Sequence, residues 1–113
     1  MPGHRYGRVA EDIKREIAAI VREMKDPRVR AGMITVVRAE VSGDLSFVKV
    51  YISAMEGLEK AKLAVQGLTG ATGFIRREVG QRLKLRKTPE LRFIADDSIS
   101  YGMDIIKKLE DLD

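Results

Sequence analysis

The chain has 113 residues with no Cys and no Trp, and carries 21 Lys/Arg against 17 Asp/Glu for a net charge of +4. That length holds one domain with one core, and the lack of cysteine excludes disulfide scaffolds, cysteine-ligated zinc, thiol nucleophiles and iron–sulfur centres while allowing a reducing compartment. No segment approaches the roughly 18 apolar residues that cross a bilayer, and the polar start Met1-Pro2-Gly3-His4-Arg5-Tyr6-Gly7-Arg8 has no signal-peptide core, so a cytoplasmic protein is expected.

The layout of the charge is more informative than its sum. Residues 1–30 carry eight Lys/Arg against five Asp/Glu and 31–70 balance at four each, whereas 71–92 carry seven against two and 93–113 two against six. A basic block followed by an acidic one suits a polyanion-facing surface and a tail that avoids it, although charge alone is explained as well by two solvated faces.

After a Gly-containing lead-in expected to be mobile, Val9, Ile13, Ile17, Ile20 and Met24 recur at spacings of three and four and predict an amphipathic helix from about Arg8 to Met24. Its outer face interleaves Lys14, Arg15 and Arg22 with Glu11, Asp12, Glu16 and Glu23, a mixed surface whose charges can pair along the helix. Lys25-Asp26-Pro27 ends it, because the residue before proline is driven out of the α region, and Arg28 and Arg30 are expected on an exposed connection.

Met33 to Ser42 reads as a strand with Met33, Val37, Ala39 and Val41 on one alternating face. Ser42-Gly43-Asp44 turns the chain into a second strand, Leu45 to Ala54, with Val48, Val50, Ile52 and Ala54 on one face and Phe47, Lys49, Tyr51 and Ser53 on the other. The short connection makes the pair antiparallel. The face with Phe47, Lys49 and Tyr51 can stack bases or simply pack across strands.

From about Leu58 to Gly67 the positions Leu58, Ala61, Ala64, Val65 and Leu68 predict a second helix, which Gly67, Gly70 and Gly73 interrupt. A third follows from about Ala71 to Leu85, with Ile75, Val79 and Leu83 inward and Arg76, Arg77, Arg82, Lys84 and Arg86 largely outward. Gly80 within it costs about 1 kcal/mol relative to alanine, which signals close packing there. Lys87-Thr88-Pro89 stops the helix, and Glu90 to Ala95 is a third strand. Asp96-Asp97-Ser98 suits a cap before a last helix, Ile99 to Leu112, striped by Ile99, Met103, Ile106 and Leu109.

The resulting order, α-β-β-α-α-β with one extra helix, is an α+β arrangement with helices on one face of a three-stranded sheet. Residues 1–98 form the domain, and 99–113 an acidic helix that is packed or mobile. The bent helix pair opens onto a cationic helix start, where unpartnered amides and the macrodipole favour phosphate. Taken alone it is better read as a helix corner with a solvated basic face. Placed between the second and third strands, it matches the KH type of RNA-binding module.

Five segments in this order carry a family resemblance: Arg8-Val9 opening the first helix, Met24-Lys25-Asp26-Pro27-Arg28 closing it, Val41-Ser42-Gly43-Asp44-Leu45 between strands, Ala71-Thr72-Gly73-Phe74-Ile75-Arg76 at the helix junction, and Leu85-Arg86-Lys87-Thr88-Pro89-Glu90-Leu91 before the last strand, with Asp97-Ser98 near the end. Over nearly its whole length the chain resembles the bacterial ribosome-binding factor A family, assembly factors of the small ribosomal subunit. The resemblance implies a KH-like fold of type II topology in which the kink Ala71-Thr72-Gly73 replaces the usual Gly-x-x-Gly loop. Gly67-Leu68-Thr69-Gly70 matches Gly-x-x-Gly literally, but its variable positions hold no basic residue. The family further implies binding to the 30S subunit during late maturation of 16S rRNA near its 5′-terminal helix, support of growth in the cold, a monomer, and no cofactor or small-molecule substrate. Longer members carry a further C-terminal extension.

The expected RNA-binding residues are Arg76, Arg77, Arg82, Lys84, Arg86 and Lys87, helped by Arg5, Arg8, Lys14, Arg15 and Arg22, all gathered on one continuous patch. Such side chains hold phosphates and read shape rather than base sequence. An enzyme is disfavoured: the single His4 lies in the lead-in, Asp96-Asp97 suits a cap better than a metal pair, and no phosphate loop or nucleophile elbow occurs. A protein-interaction module using the acidic last helix or the open sheet is the other class.

Overall fold

A computed structural model describes residues 2–99 and 106–109, with side chains for 7–99 and 106–109. The first helix, α1, spans Pro2–Glu23, so the lead-in expected to be mobile is itself helical. Proline is well placed at the first turn, where its missing N–H has no partner to lose. The predicted stripe is the buried one: Ile13, Ile17 and Ile20 lie in the core. Arg28 and Arg30 sit on a short helix, α2 (Pro27–Arg30), rather than on an open connection. Asp26 makes that helix possible by capping it, its Oδ1 accepting the Arg28 N–H at 2.8 Å.

The sheet has the order β1-β2-β3, with β1 (Ile34–Val41), β2 (Phe47–Ala54) and β3 (Glu90–Asp96). β1 runs antiparallel to β2, and β3 runs parallel to it. A parallel neighbour requires a long crossover, and α3 (Leu58–Gly70) with α4 (Thr72–Leu83) provides it. Val48, Val50 and Ile52 of the central strand are fully buried against Ile13, Ile17, Leu68, Ile75 and Val79 of the helices. This is the expected α+β, KH-like arrangement, with α2 inserted after the first helix.

Two strand details differ from the alternation read in the sequence. Val36 pairs with Ile52 and Arg38 with Tyr51, leaving Val37 unopposed as a bulge. A bulge shifts the inward phase by one residue, so Val36 is buried while Met33, expected inside, is 63% exposed. β2 starts at Phe47 rather than Leu45, because Leu45 takes the left-handed conformation at φ 61° in the connecting turn. The turn is closed by side chains: Ser42 Oγ accepts the N–H groups of Ser46 and Phe47, each at 3.1 Å, and Asp44 Oδ1 accepts the hydroxyls of Ser42 at 2.8 Å and Ser46 at 2.7 Å.

On the sheet face away from the helices both strand aromatics are already covered. The Arg38 guanidinium lies 3.9 Å over the Tyr51 ring and that of Arg92 3.9 Å over Phe47. Ser53 of the same face is fully buried, and its Oγ accepts the Ile99 N–H at 3.4 Å. The expected last helix, with the division at residue 99, falls mostly on 100–105 and 110–113, which lie outside the described residues; 106–109 are helical, with Ile106 and Leu109 exposed.

Candidate nucleic-acid interface

The bend between α3 and α4 is made without a loop. The Ala71 N–H donates to the carbonyls of Gly67 at 3.2 Å and Leu68 at 3.1 Å. The Thr72 hydroxyl then donates to the carbonyl of Thr69 at 2.7 Å. Terminal carbonyls of α3 are thus satisfied by the first residues past its end, and the chain turns directly into α4. The literal Gly-x-x-Gly just before it serves packing. A Cβ on Gly67 would stand 2.8 Å from Val29 Cγ2, so the missing side chain is what lets α2 lie against α3.

α4 presents three flanks. One carries Phe74, Glu78 and Arg82 toward α1. Arg82 lies 3.8 Å from Glu16, 3.5 Å from Glu23 and 3.3 Å from Glu78, with its side chain 29% exposed. The second flank, Arg76 and Gly80, faces the segment leading to β3. Arg76 donates from Nε to the Pro89 carbonyl at 3.2 Å and from Nη2 to the Thr88 carbonyl at 2.8 Å. A Cβ on Gly80 would run into Thr88 Oγ1. The third flank, outward, bears Arg77 and, at the C-cap, Lys84 in the left-handed conformation at φ 54°.

These positions sort the expected RNA-binding residues by the state of their charge. Arg77, Lys84, Arg86 and Lys87 are exposed and unpaired among the described residues. Arg76 meets two carbonyl dipoles and no carboxylate, so its charge also remains uncompensated. Arg82 faces three carboxylates, and Arg15 is paired with Asp12 at 3.2 Å and Glu16 at 3.8 Å. Lys14 and Arg22 are unpaired but lie on the other side of α1: Arg22 lines a cleft with Ala18, Ile34 and Thr35, beside β1, and Lys14 is one turn before Ala18. Arg8 is exposed on the first part of α1. The Arg5 side chain lies outside the described residues.

The expected single patch is therefore divided. The Arg82 cluster with Glu16, Glu23 and Glu78 stands between the basic strip of α4 and the α1 flank carrying Lys14 and Arg22. What remains without a carboxylate partner among the described residues is the set Arg76, Arg77, Lys84, Arg86 and Lys87, on α4 and just after its end.

In the sequence, Phe74 stands out only as part of the junction motif. It is 49% exposed and borders a cleft of about 320 Å³ with Ile20, Met24 and Lys25. The available signal was its phase, out of step with the inward series Ile75, Val79 and Leu83. Among the described residues, no three His, Cys, Asp or Glu come together in a way that could hold a metal ion. None of the described helices is long and apolar enough to cross a membrane.

Comparison with known proteins gives a consistent result. Residues 5–109 match the family described as Ribosome-binding factor A. The ribosome-binding factor A of Moorella thermoacetica is 52% identical over 99 residues, covering 87% of this chain and 81% of its own. Among solved structures, a Thermotoga maritima protein described as a candidate ribosome-binding factor A superposes with a TM-score of 0.73 at 30% identity, over 83% of this chain and 89% of its own. A homology model of the Thermus thermophilus ribosome-binding factor A, fitted into the cryo-EM map of its complex with the 30S subunit, gives a TM-score of 0.65 at 26% identity, over 79% of this chain and 92% of its own.

Proposed function

This chain belongs to the ribosome-binding factor A family, and from that premise we propose that it binds the small ribosomal subunit and assists late maturation of 16S rRNA, near the 5′-terminal helix, including during growth in the cold. The observation that carries the reading is the set of Arg76, Arg77, Lys84, Arg86 and Lys87, which has no carboxylate partner among the described residues and so keeps its charge for an outside polyanion. Phosphate contacts of this kind fix position on folded RNA and leave sequence unread. Preference for one rRNA arrangement over another shifts the population between them, and the protein needs no catalytic group to do this. Asp96 agrees with a non-enzymatic role, since its Oδ1 accepts the Ser98 N–H at 2.6 Å and so serves a turn.

The test is co-sedimentation with small subunits across a salt series. Reversal of Arg77, Lys84 and Lys87 to Glu leaves the internal bonds of the fold intact, and is expected to weaken binding and flatten its salt dependence, by about one unit of log–log slope for each lost phosphate contact. Retained binding at wild-type slope excludes the strip. A protein-docking reading is favoured by the exposed Ile106 and Leu109. In that case, binding to protein-stripped rRNA is absent or indifferent to salt.

A further inference from the structure

Of the aromatic residues whose side chains are described, three are already engaged. Tyr51 lies under Arg38 and Phe47 under Arg92, and Phe93 is half-buried against the core. Phe74 alone of them is 49% exposed with no cation over its ring. Its place is specific. It projects from the first turn of α4 at the edge of a cleft lined also by Ile20, Met24, Lys25 and the pair Glu23 and Arg82, whose opposite charges lie 3.5 Å apart. Arg77 follows it at the i+3 position, the neighbouring place on the helix surface, and both Lys25 and Arg77 are unpaired among the described residues. Intramolecular packing does not account for an aromatic ring half in water between two free cations.

We propose that Phe74 is a stacking platform for one unpaired nucleobase of the bound RNA, with the Ile20–Met24 cleft receiving the base edge and Arg77 and Lys25 holding the flanking phosphates. This rests on the RNA-binding reading above and adds to it an attachment of a different physical kind. The basic strip supplies attraction that salt screens. A stacked base supplies contact that salt barely affects, and every base has a face to offer. The occupant is nucleic acid rather than an apolar protein side chain because the cations at the mouth match a polyphosphate backbone, and because the cleft adjoins the basic strip at Arg77. The pairing also restricts what can bind: a regular RNA helix hides its base faces, so Phe74 engages RNA only where a nucleotide is unstacked. An immature rRNA segment that has not closed its pairs offers such nucleotides, and a completed helix does not.

Three variants of Phe74 and one of Arg77 test this. With no tryptophan elsewhere in the chain, Phe74→Trp places a single tryptophan, excited selectively over the three tyrosines, at the platform, and addition of single-stranded oligoadenylate is expected to quench it while a fully paired RNA duplex leaves it bright. Phe74→Ala is expected to bind protein-stripped 16S rRNA roughly tenfold or more weakly with the salt slope unchanged, and Phe74→Tyr to restore binding. Arg77→Glu is expected to flatten the slope instead. The partial exposure of Phe74 makes all three compatible with the fold, which circular dichroism checks. Wild-type affinity in Phe74→Ala alongside weakened Arg77→Glu overturns the platform and leaves the RNA-binding reading standing. Absence of any salt-dependent RNA binding by the wild-type protein overturns both. If Phe74→Ala weakens attachment to whole subunits but not to stripped rRNA, the cleft takes a protein side chain and the proposal is wrong.

Discussion

Arg82 of α4 stands 3.8 Å from Glu16 of α1, and the same guanidinium reaches Glu23 and Glu78. One cation thus ties two helices through Arg82 and Glu16, 66 positions apart in the chain, and it is balanced within the protein rather than by a ligand. Replacing it with methionine keeps the aliphatic stem and leaves three carboxylates facing one another. Arg82→Met is expected to lower stability by about 1 kcal/mol, less in high salt, which urea unfolding at two ionic strengths measures. The salt slope of RNA binding is expected to stay as in the wild type, in contrast to the reversal of Arg77.

Gly80 and Thr88 make a second close approach, between α4 and the segment entering β3. In an open helix, alanine would gain about 1 kcal/mol over glycine. Here the new Cβ runs into Thr88 Oγ1, and Thr88 cannot easily retreat because Arg76 holds its carbonyl at 2.8 Å. Gly80→Ala is expected to destabilise by about 1–2 kcal/mol. Adding Thr88→Ala removes the obstructing hydroxyl and is expected to recover most of the loss, a coupling that a double-mutant cycle by chemical denaturation reads directly. Additive effects would show that the two residues do not oppose each other.

The β1–β2 turn is pH-sensitive through Asp44. Hydrogen bonds from the side chains of Ser46 and Ser42, with the Ser46 N–H, hold its carboxyl at about 2, below the ordinary 3.8. A depressed carboxylate stabilises the folded state fully above its unfolded value, and that contribution fades as pH falls through about 4 toward 2. Thermal melts of the wild type and Asp44→Asn are therefore expected to differ most at neutral pH, to draw together as pH falls below about 4, and to converge only below about pH 2. A gap that is constant over this range would show that ionisation of Asp44 plays no part.

Much of this was legible in the residue pattern. The stripe of Ile13, Ile17 and Ile20, the inner face of Val48, Val50 and Ile52, and an interruption of the helical pattern near the glycine run follow from local rules: apolar periodicity sets which face is buried, and glycine and proline mark where elements break. The kink at Ala71-Thr72-Gly73 itself was implied by the family resemblance. Gly80 announced a close neighbour, although which neighbour could not be read. The bulge at Val37 was invisible, because it depends on how β1 meets β2 and leaves no mark in the composition of β1 itself.

Sequence by itself determined the order of elements, the fold class and a basic segment at residues 71–92, since each depends on residues near one another in the chain. Tertiary structure alone decided which of those cations remain available. Arg77, Lys84, Arg86 and Lys87 face outward unpaired among the described residues, Arg76 is turned onto the Thr88 and Pro89 carbonyls, and Arg82 is held by acids of α1. The physical reason is that a charge is neutralised by whatever folding brings within a few ångströms of it, and for Arg82 two of those partners come from the opposite end of the domain.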